Sequence, residues 1–392
     1  MDTHDQIVVL GLAGAIPFAG IAWQLVHHLV GFRQLGFDVY YIEETGTAPY
    51  DPRVKSHVND CTYSVQFIAE TMRRIGLEDK WAYHDGLTSR WYGLSEARIQ
   101  ELFASALCIV NLCGASNPDT LSFRPHGKLL YLETDPVLYQ VRIAEGDEHA
   151  RQFLAQHDVH ITYGENLGAP DCPIPLPQFT WQKTRPPVVL DLWPAQFDLA
   201  CSRFTTISTW RNVGKDLSFR GETYLWSKHA NWLTVADLPQ RTSQQFELAV
   251  GIDSPEDLAV FQRIFLHNGW MLTDPLIISQ DMEVYREYIQ GSRGEFTVAK
   301  DAVVRSRSGW FSDRSVCYLA AGKPVVTQET GFSKYVPVGR GLFAFSTKDE
   351  ARAALEEING DYLVHAHAAR EIAREYFSAE KTLRKLLHDA GL

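Results

Sequence analysis

The chain has 392 residues, beyond the size that one hydrophobic core serves, so two domains are expected. Its 45% apolar and 22% charged composition is that of a folded globular protein and excludes long disordered tracts. A net charge of −11 excludes a general nucleic-acid binder, which needs a basic excess to neutralise phosphates.

The first strand is expected at Ile7–Leu10, where β-branched residues run together. Gly11–Pro17 forms a tight loop, and Ile21, Leu25, Val26, Leu29, Val30 and Phe32 then recur at helical spacing until Gly36 stops the helix. Phe37–Ile42 follows as a strand. This βαβ unit implies a parallel sheet. A helix over Val65–Arg74 and strands at Ala106–Leu112, Lys128–Leu132 and Val159–Tyr163 repeat the pattern. Prolines between Cys172 and Pro187 rule out helix or central strand and put a linker near 170–200. Beyond it come strands at Phe204–Ile207 and Glu247–Gly251, helices at Pro255–Leu266 and Met282–Ile289, and a strand at Ala302–Arg305. Helices Lys348–Ile358 and Tyr362–Leu387 close the sequence, the last with Tyr376, Leu383, Leu386 and Leu387 as its apolar seam. The expected division is a first α/β domain over 1–185, a second over 186–362, and a helix over 363–392 that packs back on the first. The N-terminal residues carry no basic leader, no run reaches the ~18 apolar residues that span a bilayer, and the six cysteines form no C-x-x-C pair. A cytoplasmic protein with reduced thiols is expected.

The stretch Gly294–Val326 is the most informative. It reads strand, polar loop, short helix, glycine stop, strand, with Ser312 as N-cap and Gly322 as the left-handed C′ residue. A loop of small residues feeding a helix N-terminus leaves backbone N–H groups free beside the positive end of the helix dipole, which suits a phosphate. Arg305, Arg307 and Arg314 stand close in sequence. Asp313, in the first turn, repels a phosphate unless it pairs with a cation or faces away.

The run Leu319–Val326, then Thr330-Gly331, then Val338–Phe345, resembles the donor half of GT-B nucleotide-sugar glycosyltransferases, and Gly309-Trp310-Phe311-Ser312 resembles a segment of their family-1 members. Close motif likeness covers residues 294–347. The resemblance implies an α/β fold of two facing Rossmann-like domains with a cleft between them. It implies a metal-independent enzyme with no cofactor, its co-substrate a nucleoside-diphosphate sugar and its partner a small-molecule or glycan acceptor. Donor-binding residues carried over from it are Arg211, Lys300, Arg307, Ser308, Gly309, Ser312, Arg314, Thr330 and Gly331, with Lys215 beside Arg211 and Thr273–Ile278 framing the base. The sequence departs from the family where retaining members carry two glutamates: Gly309 and Cys317 stand there, or Ser315 for the second by the alternative count.

On the acceptor side the Gly11–Gly14 loop lacks G-x-G-x-x-G spacing, and Gly14 is expected to help close the cleft. A general base is expected in a loop at a strand's C-terminal end, among Asn111–Asn117, Glu133–Asp135 and Tyr163–Asn166. Glu133 and Asp135 are expected to face opposite ways, so that at most one enters the cleft, and Asp135 is the candidate base. His84 and Trp91, amid Trp81, Tyr83 and Tyr92, are candidate acceptor contacts. Two other readings stand beside transfer: an epimerase or hydrolase of the same fold, and a non-catalytic nucleotide-binding homologue.

Overall fold

The computed structural model describes residues 5–392. Strands β1 (Gln6–Leu10), β2 (Asp38–Glu43), β3 (Trp81–Asp85), β4 (Arg90–Gly93), β5 (Cys108–Leu112), β6 (Lys128–Glu133), β7 (Val159–Thr162) and β8 (Trp181–Lys183) form the first sheet. Its order is β8-β7-β6-β5-β1-β2-β3-β4, parallel except for the edge hairpin β3–β4. A second sheet, parallel throughout, has the order β11-β10-β9-β12-β13-β14. Its strands are β9 (Arg203–Thr209), β10 (Gln245–Gly251), β11 (Met271–Thr273), β12 (Gly294–Thr297), β13 (Val325–Gln328) and β14 (Leu342–Phe345). Strands such as Ile7–Leu10 are apolar on both faces because helices cover both sides of a parallel sheet. In each sheet the chain winds one way from its first strand and then the other, so each has a switch point, β1/β5 and β9/β12, where ligands bind in such folds.

Helix Ala19–Gln34 is buried along most of its length because it meets partners all round. On one side lies the last helix, Ala379–Asp389. A Cβ on Gly31 would stand 2.5 Å from Leu383 Cδ1 and 3.0 Å from Ala379 Cβ, so the missing side chain sets how closely the two helices approach. On another side lies Met282–Gln290 of the second domain, where Trp23 Nε1 donates to the Met282 carbonyl at 3.1 Å.

Two expected elements differ. The strand expected at Ala302–Arg305 is a short helix, Asp301–Arg305, and the strand of this unit is β12, paired with β9 and β13. Asp301 Oδ2 accepts from the Leu225 N–H at 2.9 Å, and Ala302 and Val303 turn one face inward while Arg305 reaches the Thr223 carbonyl at 2.6 Å. That tertiary pattern has a helical period, and it overrides the β-branched pair Val303-Val304. The long final helix breaks after Ile372 into a wide turn, Ala373–Phe377, and a new helix from Ala379. The break lets the linker join in: Val188 N–H donates to the Phe377 carbonyl at 2.7 Å, and Ala379 N–H to the Val188 carbonyl at 2.9 Å. Phe377 is buried there, whereas Tyr376, placed on the seam by its spacing, is 36% exposed. No helix among the described residues is long and apolar enough to cross a membrane.

Candidate functional site

The C-terminal ends of the two sheets face each other across a cleft of about 1660 Å³. Residues 207–209 at the end of β9, Gly251 of β10 and Thr273 of β11 line one wall, and Cys113, Thr134 and Asp135 line the other. The volume exceeds the few hundred Å³ of an ordinary small-ligand pocket and leaves room for two substrates.

Cations gather where β9 and β12 end. Lys228 lines the cleft with only 6% exposure, and its ammonium makes no hydrogen bond or ion pair among the described residues. Burial, with the charges of Arg314 and Lys300 added, lowers its pKa to about 7. Lys300 Nζ lies 2.8 Å from Asp135 Oδ1 and 4.5 Å above the Trp226 ring. Arg314 is enclosed on three sides: its guanidinium donates to Glu295 Oε1 at 2.5 Å, to the Ile207 carbonyl at 2.5 Å and to Thr297 Oγ1 at 2.9 Å. Arg211 also lines the cleft, paired with Asp257 at 2.7 Å. Ser312 lines it as the N-cap of helix Asp313–Ala320, accepting from Arg314 N–H at 3.3 Å.

Two carboxyls at this end behave differently. Partial desolvation at the cleft opposes ionisation of Asp135, whose side chain is half exposed, but the charge and hydrogen bond of Lys300, joined by Lys228 and Lys215, hold its pKa below the usual range. Asp313, also on the cleft wall, accepts from Gln24 Nε2 at 3.0 Å, and burial raises its pKa to about 7. Glu133 lines the cleft as well as Asp135, contrary to the expectation that they face opposite ways; residues two apart on an extended segment share a side. Glu133 itself is buried, accepting from Gln140 Nε2 at 2.9 Å and Thr162 Oγ1 at 2.6 Å, and burial raises its pKa to about 8.

Arg307, Ser308, Gly309, Thr330 and Gly331, expected on the donor phosphates, do not line the cleft. They form an interdomain seam around Asn166. Asn166 N–H donates to the Ser308 carbonyl at 2.9 Å, and its Nδ2 to the Arg307 carbonyl at 2.7 Å. Arg307 Nε pairs with Asp171 at 2.8 Å. Gly309, at φ +81, donates to the Thr330 carbonyl at 2.7 Å, and a Cβ on it would stand 2.4 Å from Asn166 N. Gly331, at φ +97, leaves room for the Arg307 carbonyl, 2.8 Å from where its Cβ would be. Small residues with left-handed backbone serve a phosphate or an opposing loop equally well, and here the loop has taken them.

The acceptor contacts expected in the first domain also move. Gly14 sits behind the cleft rim formed by Leu12 and Ile16. A Cβ there would lie 2.6 Å from Ile68 Cδ1, and the Gly14 and Ala15 N–H groups donate to the buried Glu43 at 2.7 and 2.6 Å. The His84 and Trp91 rings meet at a tilt, 4.6 Å apart, across the β3–β4 edge hairpin and do not line the cleft. Of the positions where the resemblance leads one to expect glutamates, Gly309 lies in the seam, Cys317 is buried with Sγ 3.3 Å from the Asp313 carbonyl, and Ser315, the alternative, is also buried. Sequence reading missed Lys228. A lone lysine after Trp226-Ser227 has no spacing signal, and only the fold brings it beside Lys300 and Arg314.

No family model and no curated protein matches the sequence. Solved structures do match along almost the whole chain. An α-glucosyltransferase in complex with UDP and a 13-mer DNA is 10% identical, with 99% of each chain covered and a TM-score of 0.59. Anabaena HepE in complex with UDP and glucose is 11% identical over 99% of this chain and 100% of that one, with a TM-score of 0.58. AviGT4, a glycosyltransferase involved in avilamycin A biosynthesis, is 13% identical over 99% of this chain and 97% of that one, with a TM-score of 0.53. The chain has the GT-B fold, two Rossmann-like domains facing across a cleft.

Proposed function

We propose that the chain is a glycosyltransferase that moves a sugar from a nucleoside-diphosphate sugar to a small-molecule or glycan acceptor. The observation that carries this reading is Lys228, a lysine with 6% exposure on the cleft wall whose ammonium lacks a counter-ion among the described residues. A buried unpaired charge is costly unless an anion completes it. The diphosphate supplies that anion; Arg211 and the N-terminus of helix Asp313–Ala320, capped by Ser312, line the same cleft, while Lys300 does not line it and reaches it through its ion pair with Asp135. As the sugar–phosphate bond breaks, negative charge grows on the diphosphate, and fixed cations in an enclosed cleft stabilise it. Arg314 contributes from behind, its fork held by Glu295, Thr297 and the Ile207 carbonyl. Asp135, kept ionised by Lys300, is the group proposed to take the acceptor proton. The match to structures holding UDP supports a nucleotide of this kind.

The test is a thermal-shift series with UDP, GDP, ADP and dTDP on the wild-type protein and on Lys228→Met. Specific binding raises Tm by mass action, so at least one nucleotide is expected to stabilise the wild type and to lose most of that effect in the variant. Stabilisation of neither protein by any of the four would remove the reading. Incubation with the matching nucleotide sugar and no acceptor then separates transfer from epimerisation, which needs only that one substrate.

A further inference from the structure

Asp313 stands where a carboxylate should be unwelcome. It is the first residue of helix Asp313–Ala320, on the same cleft wall as Lys228, Ser312 and Arg314. No cation pairs with the side chain among the described residues; its Oδ2 accepts from Gln24 Nε2, a residue of the same cleft, at 3.0 Å. The Arg314 guanidinium beside it is spent on Glu295, the Ile207 carbonyl and Thr297. Lys228, more than nine-tenths buried and without a partner among the described residues, independently marks this wall as an anion site.

Resting on the glycosyltransferase reading, we propose that Asp313 meets the diphosphate as a neutral carboxylic acid, donating its hydroxyl to a phosphate oxygen and passing that proton to the leaving group. The electron pair of the sugar C1–O bond goes to the diphosphate oxygen, the Asp313 proton joins that oxygen, and Asp313 is left as carboxylate. The acceptor oxygen forms the new bond to C1, and the acceptor's proton goes to Asp135. The two aspartates exchange roles across one turnover.

The surroundings fit the neutral form. Burial is the largest influence and opposes ionisation; the Gln24 hydrogen bond is next and favours it. The negative charge of Asp135 adds to burial, the backbone N–H of Asp313 and the charge of Arg314 oppose them more weakly, and the pKa rises to about 7. Cys113 and Tyr163 of the first domain and Cys317 of the same helix also stand near it, and all three have pKa values raised by burial and are neutral at that pH. Leaving phosphates titrate in the same region, so proton transfer between acid and leaving group is close to balanced, where general acid catalysis is most effective.

Binding of a nucleoside diphosphate then draws two protons from solution above pH 7, one to Lys228 and one to Asp313. Each proton taken up steepens the loss of affinity with pH by about tenfold per pH unit. The experiment is calorimetric titration between pH 6 and 9 with the most stabilising of UDP, GDP, ADP and dTDP, and with inorganic pyrophosphate as a base-free probe. Wild-type Kd is expected to rise by about a hundredfold per unit above pH 7.5, and in both Asp313→Asn and Lys228→Met by about tenfold. Asp313→Asn, whose amide donates as the neutral acid does, is expected to match the wild type at pH 6, while Asp313→Ala binds about tenfold more weakly there. An Asp313→Asn profile parallel to the wild type, or tighter binding by that variant at pH 6, overturns the inference while leaving the donor site intact. No wild-type binding of any probe instead overturns the glycosyltransferase reading itself.

Discussion

The Arg314 guanidinium donates to Glu295 Oε1 at 2.5 Å, and Glu295 has no exposed surface. The pair ties the first turn of helix Asp313–Ala320 to strand β12, and the remaining guanidinium nitrogens brace β9 and β12 through the Ile207 carbonyl and Thr297. Arg314 is therefore a strut of the cleft wall, with its charge largely answered from behind. Glu295→Ala leaves a buried guanidinium uncompensated, a change that costs about 3–5 kcal/mol in comparable pairs. A marked fall in Tm is expected, and an unchanged Tm would show that the pair holds nothing together.

Lys228 makes the cleft pH-sensitive. Its ammonium has a pKa near 7 when folded against an ordinary 10.5, so the unfolded chain binds more protons between those values. This group alone makes the fold more stable as pH rises through that window. Anion binding runs the other way, because it requires the charged form. Lys228→Met is expected to weaken nucleoside-diphosphate binding at pH 6.5 by at least about tenfold and to raise Tm of the free protein there, since an unpaired buried charge is removed. A lower Tm and unaltered binding in the variant would contradict both.

Glu133 supplies the opposite sign. Its carboxyl titrates near 8 in the fold against an ordinary 4.5, so the folded state binds more protons between those values and loses stability as pH rises through them. Glu133→Gln keeps an acceptor for Thr162 and Gln140 without the charge. The Tm of the variant minus that of the wild type is expected to grow more positive from pH 5 to pH 9. A difference independent of pH would mean that Glu133 titrates normally.

The seam around Asn166 is tested by two glycines with the same backbone hand. Gly339 has φ +98 and nothing within 4 Å of an added Cβ, whereas a Cβ on Gly309, at φ +81, would stand 2.4 Å from Asn166 N. Gly339→Ala carries the left-handed backbone cost alone, roughly 1–2 kcal/mol. Gly309→Ala adds displacement of the Asn166 loop, so its Tm is expected to fall further. Equal shifts would show that the seam yields without cost.

Most of the fold was legible because its signals are local. Ser312 caps a helix and Gly322, at φ +72, ends it, both as their residue types require. The helix beginning near Gly20 and the strand over Lys128–Leu132 follow from apolar spacing. Asp301–Arg305 was misread because Ala-Val-Val is ambiguous until its neighbours are known. The site was less legible for a related reason. Glycine loops advertise close approach but not what approaches, so Ser308, Gly309 and Gly331 read as phosphate ligands although Asn166 occupies them. Lys228 and Asp313 acquire meaning only beside residues far away in the chain, which no spacing rule reports.

The stitch between Val188 and Phe377–Ala379 has a mechanical consequence. The polypeptide passes between the two sheets along two separate paths, and this stitch clamps them side by side. A body hung from a single cord can swivel; one hung from two adjoining cords can only swing, about the line that joins them. The Asn166 seam and the Trp23–Met282 contact join the same two bodies at points away from the stitch, so any opening of the cleft about that line has to part them.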